Sequence, residues 1–67
     1  MLGLERQQEI LGLLREVHSV TVEELCKKFY ASGATIRRDL DRLEKSGLIR
    51  RTYGGAVLLE GNAVESP

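Results

Sequence analysis

Two short segments of the 67-residue chain contain residues whose types and spacing could bind a polyanion. A guanidinium group can donate two parallel hydrogen bonds to a phosphate or to a guanine edge, and a hydroxyl group can donate one. Glycine lets the backbone approach a sugar-phosphate strand closely. The candidate contact residues share these properties, and they are Ser32, Gly33, Thr35, Arg37, Arg38, Arg42, Arg50, Arg51, Tyr53 and Gly54. Their chemistry predicts binding to duplex DNA, with base and phosphate roles open for each arginine.

The arginine-rich segment requires a helix that turns its basic side outward. Ile36, Leu40 and Leu43 repeat at i, i+4 and i+7, the spacing of a helix face that packs on a core. The opposite side contains Arg38, Arg42 and Lys45, and Arg37 lies on one flank. In a helix-turn-helix, the first helix braces a second whose N-terminal residues reach base edges in the major groove. This third helix of the chain is therefore the predicted groove-binding helix.

Capping residues predict where the helices begin and end. Thr21 with Glu24 three residues later is a capping box, so a short second helix should begin at Thr21. Ser32 can cap the third helix, which we expect to end at a left-handed glycine, Gly47. Ser32 and Thr35 would then present hydroxyls beside the free N–H groups of that helix start, where an anion is favoured.

The two helices that precede this segment are amphipathic. The first is expected over roughly Glu5 to Val17, with an apolar face repeating as Ile10, Leu14 and Val17. Gly12 within it suggests close packing against another helix. The second helix should bury a stripe formed by Val22, Leu25, Cys26 and Phe29.

The second basic segment predicts a β-hairpin. Leu48 to Tyr53 is expected to form a strand, Gly54-Gly55 a turn, and Ala56 to Leu59 the return strand. Ser19 to Thr21 can add a short third strand. The fold class is mainly α with a small β-hairpin wing: a winged helix-turn-helix with a three-helix bundle and a two- or three-stranded antiparallel sheet. We expect residues 1–59 to form this domain, with the wing at about 48–59, and we interpret the polar, aperiodic residues 60–67 as a linker.

Asp39 lies near the edge of the apolar stripe and would repel phosphate if it were exposed. We therefore expect an intramolecular ion pair, with Arg6, Arg42 or Arg51 as its partner.

Net charge is zero, but the charges are unevenly distributed. Residues 1–31 have a net charge of −1, residues 32–54 of +3 and residues 55–67 of −2. The positive charge thus coincides with the two candidate segments, as expected for a nucleic-acid interface.

Other features of the sequence limit the class of protein. No apolar run reaches the length of about 18 residues that a membrane span needs. The single cysteine, Cys26, cannot form an internal disulfide, which favours a cytoplasmic location, and it is expected to fill the core. His18 is expected in a surface loop. We predict no cofactor or metal.

Two alternatives to DNA binding make different predictions about these residues. A winged helix can serve as a protein–protein interaction module, but that use predicts an apolar outward face on the third helix. An enzyme would need a paired nucleophile and base, a metal-ligand cluster or a phosphate-cradling loop, and the sequence contains none of these. We therefore predict that the chain is not an enzyme.

The segment FYASGATIRRDL (residues 29–40), followed by Leu43, Gly47, Arg51 and Gly54-Gly55-Ala56, resembles the DNA-binding domain of DeoR-type bacterial transcriptional regulators. Arg6 with Ile10, and Val20 with Glu24-Leu25, match the same family pattern, so the resemblance runs from about Arg6 to Ala56. Ala31 stands where the family usually has valine, and Tyr53 where histidine is frequent.

The resemblance implies a winged helix-turn-helix with its motif at about residues 20–40. It further implies an N-terminal module joined by residues 60–67 to an absent C-terminal effector domain that binds a phosphorylated metabolite. Such regulators are mostly repressors of sugar or nucleoside catabolism operons, released from the operator by the effector. The implied partners are double-stranded operator DNA and further copies of the chain, joined through the absent domain.

Overall fold

The computed structural model describes residues 2–59, so the predicted linker at residues 60–67 lies outside the described residues. The element order is α1 (Gly3–Val17), β1 (Ser19–Thr21), α2 (Val22–Phe29), α3 (Gly33–Lys45), β2 (Ile49–Thr52) and β3 (Gly55–Leu58). Three helices with a three-stranded antiparallel sheet confirm the predicted winged helix-turn-helix architecture.

The predicted caps of α2 and α3 are confirmed. At α2, the Glu24 N–H donates to Thr21 Oγ1 and the Thr21 N–H donates to Glu24 Oε1, both at 3.0 Å. At α3, the Thr35 N–H donates to Ser32 Oγ at 3.2 Å. Gly47 follows α3 with φ +82°, the left-handed conformation that glycine adopts without steric cost.

Two expectations for α1 need correction. The helix begins at Gly3 rather than Glu5, because the Glu5 carboxylate accepts the Leu2 N–H at 3.2 Å and stabilises a start two residues earlier. Gly12 does not mark a close helix contact: it is exposed, and a Cβ there would meet nothing within 4 Å.

The sheet has the order β1-β3-β2, so the proposed extra strand Ser19–Thr21 is present and the return strand is central. The turn is one residue earlier than expected. It consists of Tyr53 and Gly54, whereas Gly55 belongs to β3 and pairs with both Thr21 and Thr52. A Cβ on Gly55 would lie 2.1 Å from the Val20 carbonyl oxygen, so only glycine fits between the two strands.

One apolar core joins the three helices to the sheet. Its buried members are Ile10, Leu14, Val20, Val22, Leu25, Ile36, Leu40, Leu43, Ile49 and Ala56, and Cys26 and Phe29 pack against it half-buried. The expected inward faces of α2 and α3 are therefore confirmed. Val17 is an exception, because α1 ends there and the chain turns away at the exposed residue His18, leaving Val17 53% exposed.

Candidate nucleic-acid interface

The start of α3 presents two hydroxyl groups that are linked to each other. Ser32 is exposed and Thr35 half-buried, and the Ser32 hydroxyl donates to Thr35 Oγ1 at 3.0 Å. Because the Thr35 oxygen is the acceptor, its own hydrogen stays available to an external acceptor. Gly33 is the first residue of α3, so its backbone N–H belongs to the turn that has no intrahelical acceptor. This end of the helix can hold an anion.

The basic residues of α3 face solvent as predicted. Arg37, Arg38, Arg42 and Lys45 are exposed, and none forms an ion pair with another residue of the 2–59 segment. Arg37 folds back over the first turn of its helix, where its Nη1 lies 3.2 Å from the position that a Cβ on Gly33 would occupy. The missing side chain at Gly33 therefore makes room for this guanidinium at the helix start.

The exposed part of the wing includes Arg50, Thr52 and the turn residues Tyr53 and Gly54. Tyr53 is fully exposed, and Gly54 has φ +82°. The Gly54 carbonyl accepts the Val22 N–H at 2.8 Å, which anchors the turn to the start of α2. The hairpin tip is therefore held in place while its tyrosine and arginine side chains are open to a ligand.

Arg51 is placed differently from the other predicted contact residues. It is half-buried, its Nη1 donates to Asp41 Oδ1, and its backbone N–H donates to Glu44 Oε2 at 2.9 Å. Its Nε is buried and has no hydrogen-bond partner among the described residues. The guanidinium thus lies between the wing and α3 rather than on the outer surface.

Strand alternation was the sequence signal that could have located Arg51. Residues i and i+2 of a strand point to the same face, so Arg51 shares the face of the buried Ile49, and Arg50 shares the exposed face with Thr52. Asp41 and Glu44, which receive Arg51, were not singled out from the sequence. They lie i, i+3 on α3 and hence on neighbouring positions of one helix flank.

Asp39 forms the expected ion pair, and its partner is Arg6 of α1. The Arg6 Nε donates to Asp39 Oδ2 and its Nη2 donates to Oδ1 at 3.3 Å, with side-chain exposures of 15% for Arg6 and 6% for Asp39. Gln7, which the sequence analysis did not identify, is buried and donates from Nε2 to Asp39 Oδ1 at 3.2 Å. The cluster joins α1 to α3.

The electrostatics of this cluster keep Arg6 charged. The hydrogen bond to Asp39 raises the pKa of the Arg6 guanidinium, desolvation opposes the rise, and the charge of the same carboxylate adds to it. A guanidinium stays protonated under all physiological conditions. Arg6 therefore keeps its charge beside Asp39, whose carboxylate is paired within the fold rather than facing a phosphate.

Residues 2–59 contain no group of three or more histidine, cysteine, aspartate or glutamate side chains arranged to hold a metal ion. No helix within those residues is long and apolar enough to cross a membrane.

Comparison with known proteins identifies the family. The model of the DeoR-like helix-turn-helix domain matches residues 6–62. The chain belongs to the DeoR-like helix-turn-helix family. The resemblance inferred from residues 29–40 and the Gly-Gly-Ala segment is thereby confirmed.

Relatives of this DeoR-like domain include proteins named as transcriptional regulators. It is 47% identical over 60 residues to the HTH-type transcriptional regulator GolR of Listeria innocua, covering 90% of this chain and 24% of GolR. It is 42% identical over 64 residues to the putative galactitol utilization operon repressor of Escherichia coli, covering 94% of this chain and 57% of that protein. The lactose phosphotransferase system repressor of Lactococcus lactis is 44% identical over 54 residues, covering 81% of this chain and 21% of that protein.

The DeoR-like domain thus spans 21% to 57% of the length of these three relatives. No solved structure matches it with statistical significance.

Proposed function

We propose that the chain is the sequence-specific, double-stranded DNA-binding module of a transcriptional repressor. Family membership supports this assignment, as do relatives named as regulators and repressors. The observation that carries it is the outward side of α3, where Arg37, Arg38 and Arg42 are exposed and free of ion pairs within the described residues.

In the proposed complex, α3 lies in the major groove with its N-terminal end toward the bases. From this position Arg37 and Arg38 can reach base edges or phosphates, and Arg42 lies one turn later on the helix. Ser32, Gly33 and Thr35 bind a phosphate at the helix start. Arg50, Tyr53 and Gly54 of the wing hold the neighbouring sugar-phosphate backbone.

The protein–protein alternative is less well supported. The exposed large apolar side chains of the described segment are Leu2, Leu4, Val17, Tyr30 and Tyr53, and none of them lies on α3. A docking helix needs an apolar face, whereas the exposed residues of α3 are all charged apart from Ala34. The net positive charge of this face favours binding to a polyanion.

We further propose that the repressed operon serves sugar or nucleoside catabolism and that binding of a phosphorylated metabolite releases the repressor from the operator. The names of the galactitol operon repressor and the lactose phosphotransferase system repressor support the sugar assignment. Effector binding and assembly into a homo-oligomer are assigned to protein outside this chain. We assign the module to the bacterial cytoplasm and give it no catalytic role.

The test is selection of bound duplexes from a random-sequence DNA library, followed by affinity measurements on the recovered site. Arg38→Ala should weaken binding by about tenfold or more, because a good base or phosphate contact is lost. Its melting temperature should be nearly unchanged, because Arg38 is exposed and unpaired within the described residues.

Arg15→Ala is the matched control, since Arg15 is an exposed arginine on α1, outside the proposed interface. It should bind the recovered duplex as the parent does. Equal binding by the parent and Arg38→Ala throughout a salt titration would contradict the assignment of α3, and failure to recover any duplex would contradict the function itself.

A further inference from the structure

We propose that Arg51 is a positioning residue: it holds the wing against α3 through Asp41 and Glu44 and does not contact DNA. The sequence pattern placed it among the contact residues, next to Arg50. The inference rests on the proposed DNA-binding function and changes the role of one residue within it.

The geometry separates the two adjacent arginines. Arg50 is exposed, whereas Arg51 lies on the strand face that includes the buried Ile49. From there its guanidinium donates to Asp41, and its backbone N–H donates to Glu44 at 2.9 Å. Since β2 is an edge strand, these two bonds link the free side of the wing to the groove-binding helix.

The charges give the link a second effect. Asp41 and Glu44 are exposed acidic residues on α3, the helix that also presents Arg37 and Arg38. An uncompensated carboxylate there would repel a phosphate strand, since like charges across an interface oppose binding. Arg51 neutralises Asp41 and thereby removes one of the two carboxylate charges that this flank would bring toward DNA.

The experiment replaces the ion pair with an uncharged contact of similar size. Arg51→Met alone should reduce affinity for the recovered duplex by about tenfold, because it removes the side-chain link between the wing and α3 and leaves Asp41 unpaired. Adding Asp41→Leu should restore affinity to within about threefold of the parent, because an apolar pair can replace an ion pair. The double variant has the parent's net charge but no guanidinium at position 51.

The salt dependence of binding provides a readout that stability alone would not change. The double variant should keep the parent's slope of log affinity against log salt between about 50 and about 200 mM. If Arg51 contacts a phosphate, the slope should instead be smaller by about 0.9.

Arg50→Met, with and without Asp41→Leu, is the matched control. It should reduce the slope by about 0.9. Comparing Arg50→Met with Arg50→Met/Asp41→Leu also measures how much affinity is gained merely by removing the Asp41 charge. Two results would overturn the inference while leaving DNA binding intact. In the first, Asp41→Leu raises the affinity of Arg51→Met by no more than it raises that of Arg50→Met. In the second, the Arg51→Met/Asp41→Leu variant has a salt slope reduced as in Arg50→Met. No binding by the parent itself would overturn both the inference and the proposed function.

Discussion

At the scale of single residues, the buried Asp39 shows how a charge within the helix proposed to contact DNA can serve the fold. Its carboxylate accepts hydrogen bonds from both Arg6 and Gln7, and only 6% of its side chain is exposed. A buried ion pair is costly to break, because the remaining partner keeps its desolvation penalty without compensation. The cluster thus stabilises the orientation of α3 on α1.

We expect Asp39→Ala to lower the free energy of unfolding by about 3 kcal/mol, since it leaves the Arg6 charge and the Gln7 amide unpaired. Urea denaturation followed by circular dichroism measures the change. Asp41→Ala is the matched control: the Asp41 side chain is 55% exposed, so its loss should cost about 1 kcal/mol or less. An Asp39→Asn variant with both the stability and the DNA affinity of the parent would refute this role for the ion pair.

At the scale of elements, the sheet depends on the close approach of β1 to β3. Gly55 is buried between its partners Thr21 and Thr52, and any side chain there would collide with the Val20 carbonyl. The strand pairing consequently requires glycine at this position, although its backbone φ is not in the left-handed region.

Gly55→Ala should therefore destabilise the domain by more than about 3 kcal/mol, since a backbone carbonyl cannot move aside without breaking the β1–β3 ladder. Gly12→Ala is the control. That position is exposed and helical with space for a Cβ, and alanine should raise stability by about 1 kcal/mol. Thermal unfolding of the two variants measures the change. A Gly55→Ala variant that melts at the parent's temperature would contradict this account of the sheet.

At the scale of the whole molecule, a zero net charge conceals a local excess of positive charge. The +3 segment at residues 32–54 contains α3 and most of the wing, and the other parts of the chain balance it. Since phosphate neutralisation supplies most of the binding free energy, so small an excess limits the affinity of a single copy.

An operator read by two copies contains two half-sites, one for each copy. We accordingly expect one copy of the chain to bind a duplex with a single half-site with a Kd of about 1 μM or weaker at physiological salt. Joining two copies through a flexible linker should tighten binding to a duplex with two half-sites by at least about a hundredfold, provided that the linker spans them. Fluorescence anisotropy measures both constants, with sedimentation to verify the number of copies. Nanomolar binding by a demonstrated monomer would be the contrary result.

The amino-acid sequence by itself determined that three helices form, and it determined the caps and inward faces of α2 and α3, because these depend on contacts between residues three or four positions apart. Ser32, Gly47 and the stripe of Ile36, Leu40 and Leu43 needed no knowledge of the rest of the chain. Only the tertiary structure decided which arginine pairs with Asp39, which acidic residues of α3 receive Arg51, and which glycine makes the turn. Those outcomes depend on which strand or helix lies opposite, and contacts between distant parts of the chain leave no periodic signal in the sequence.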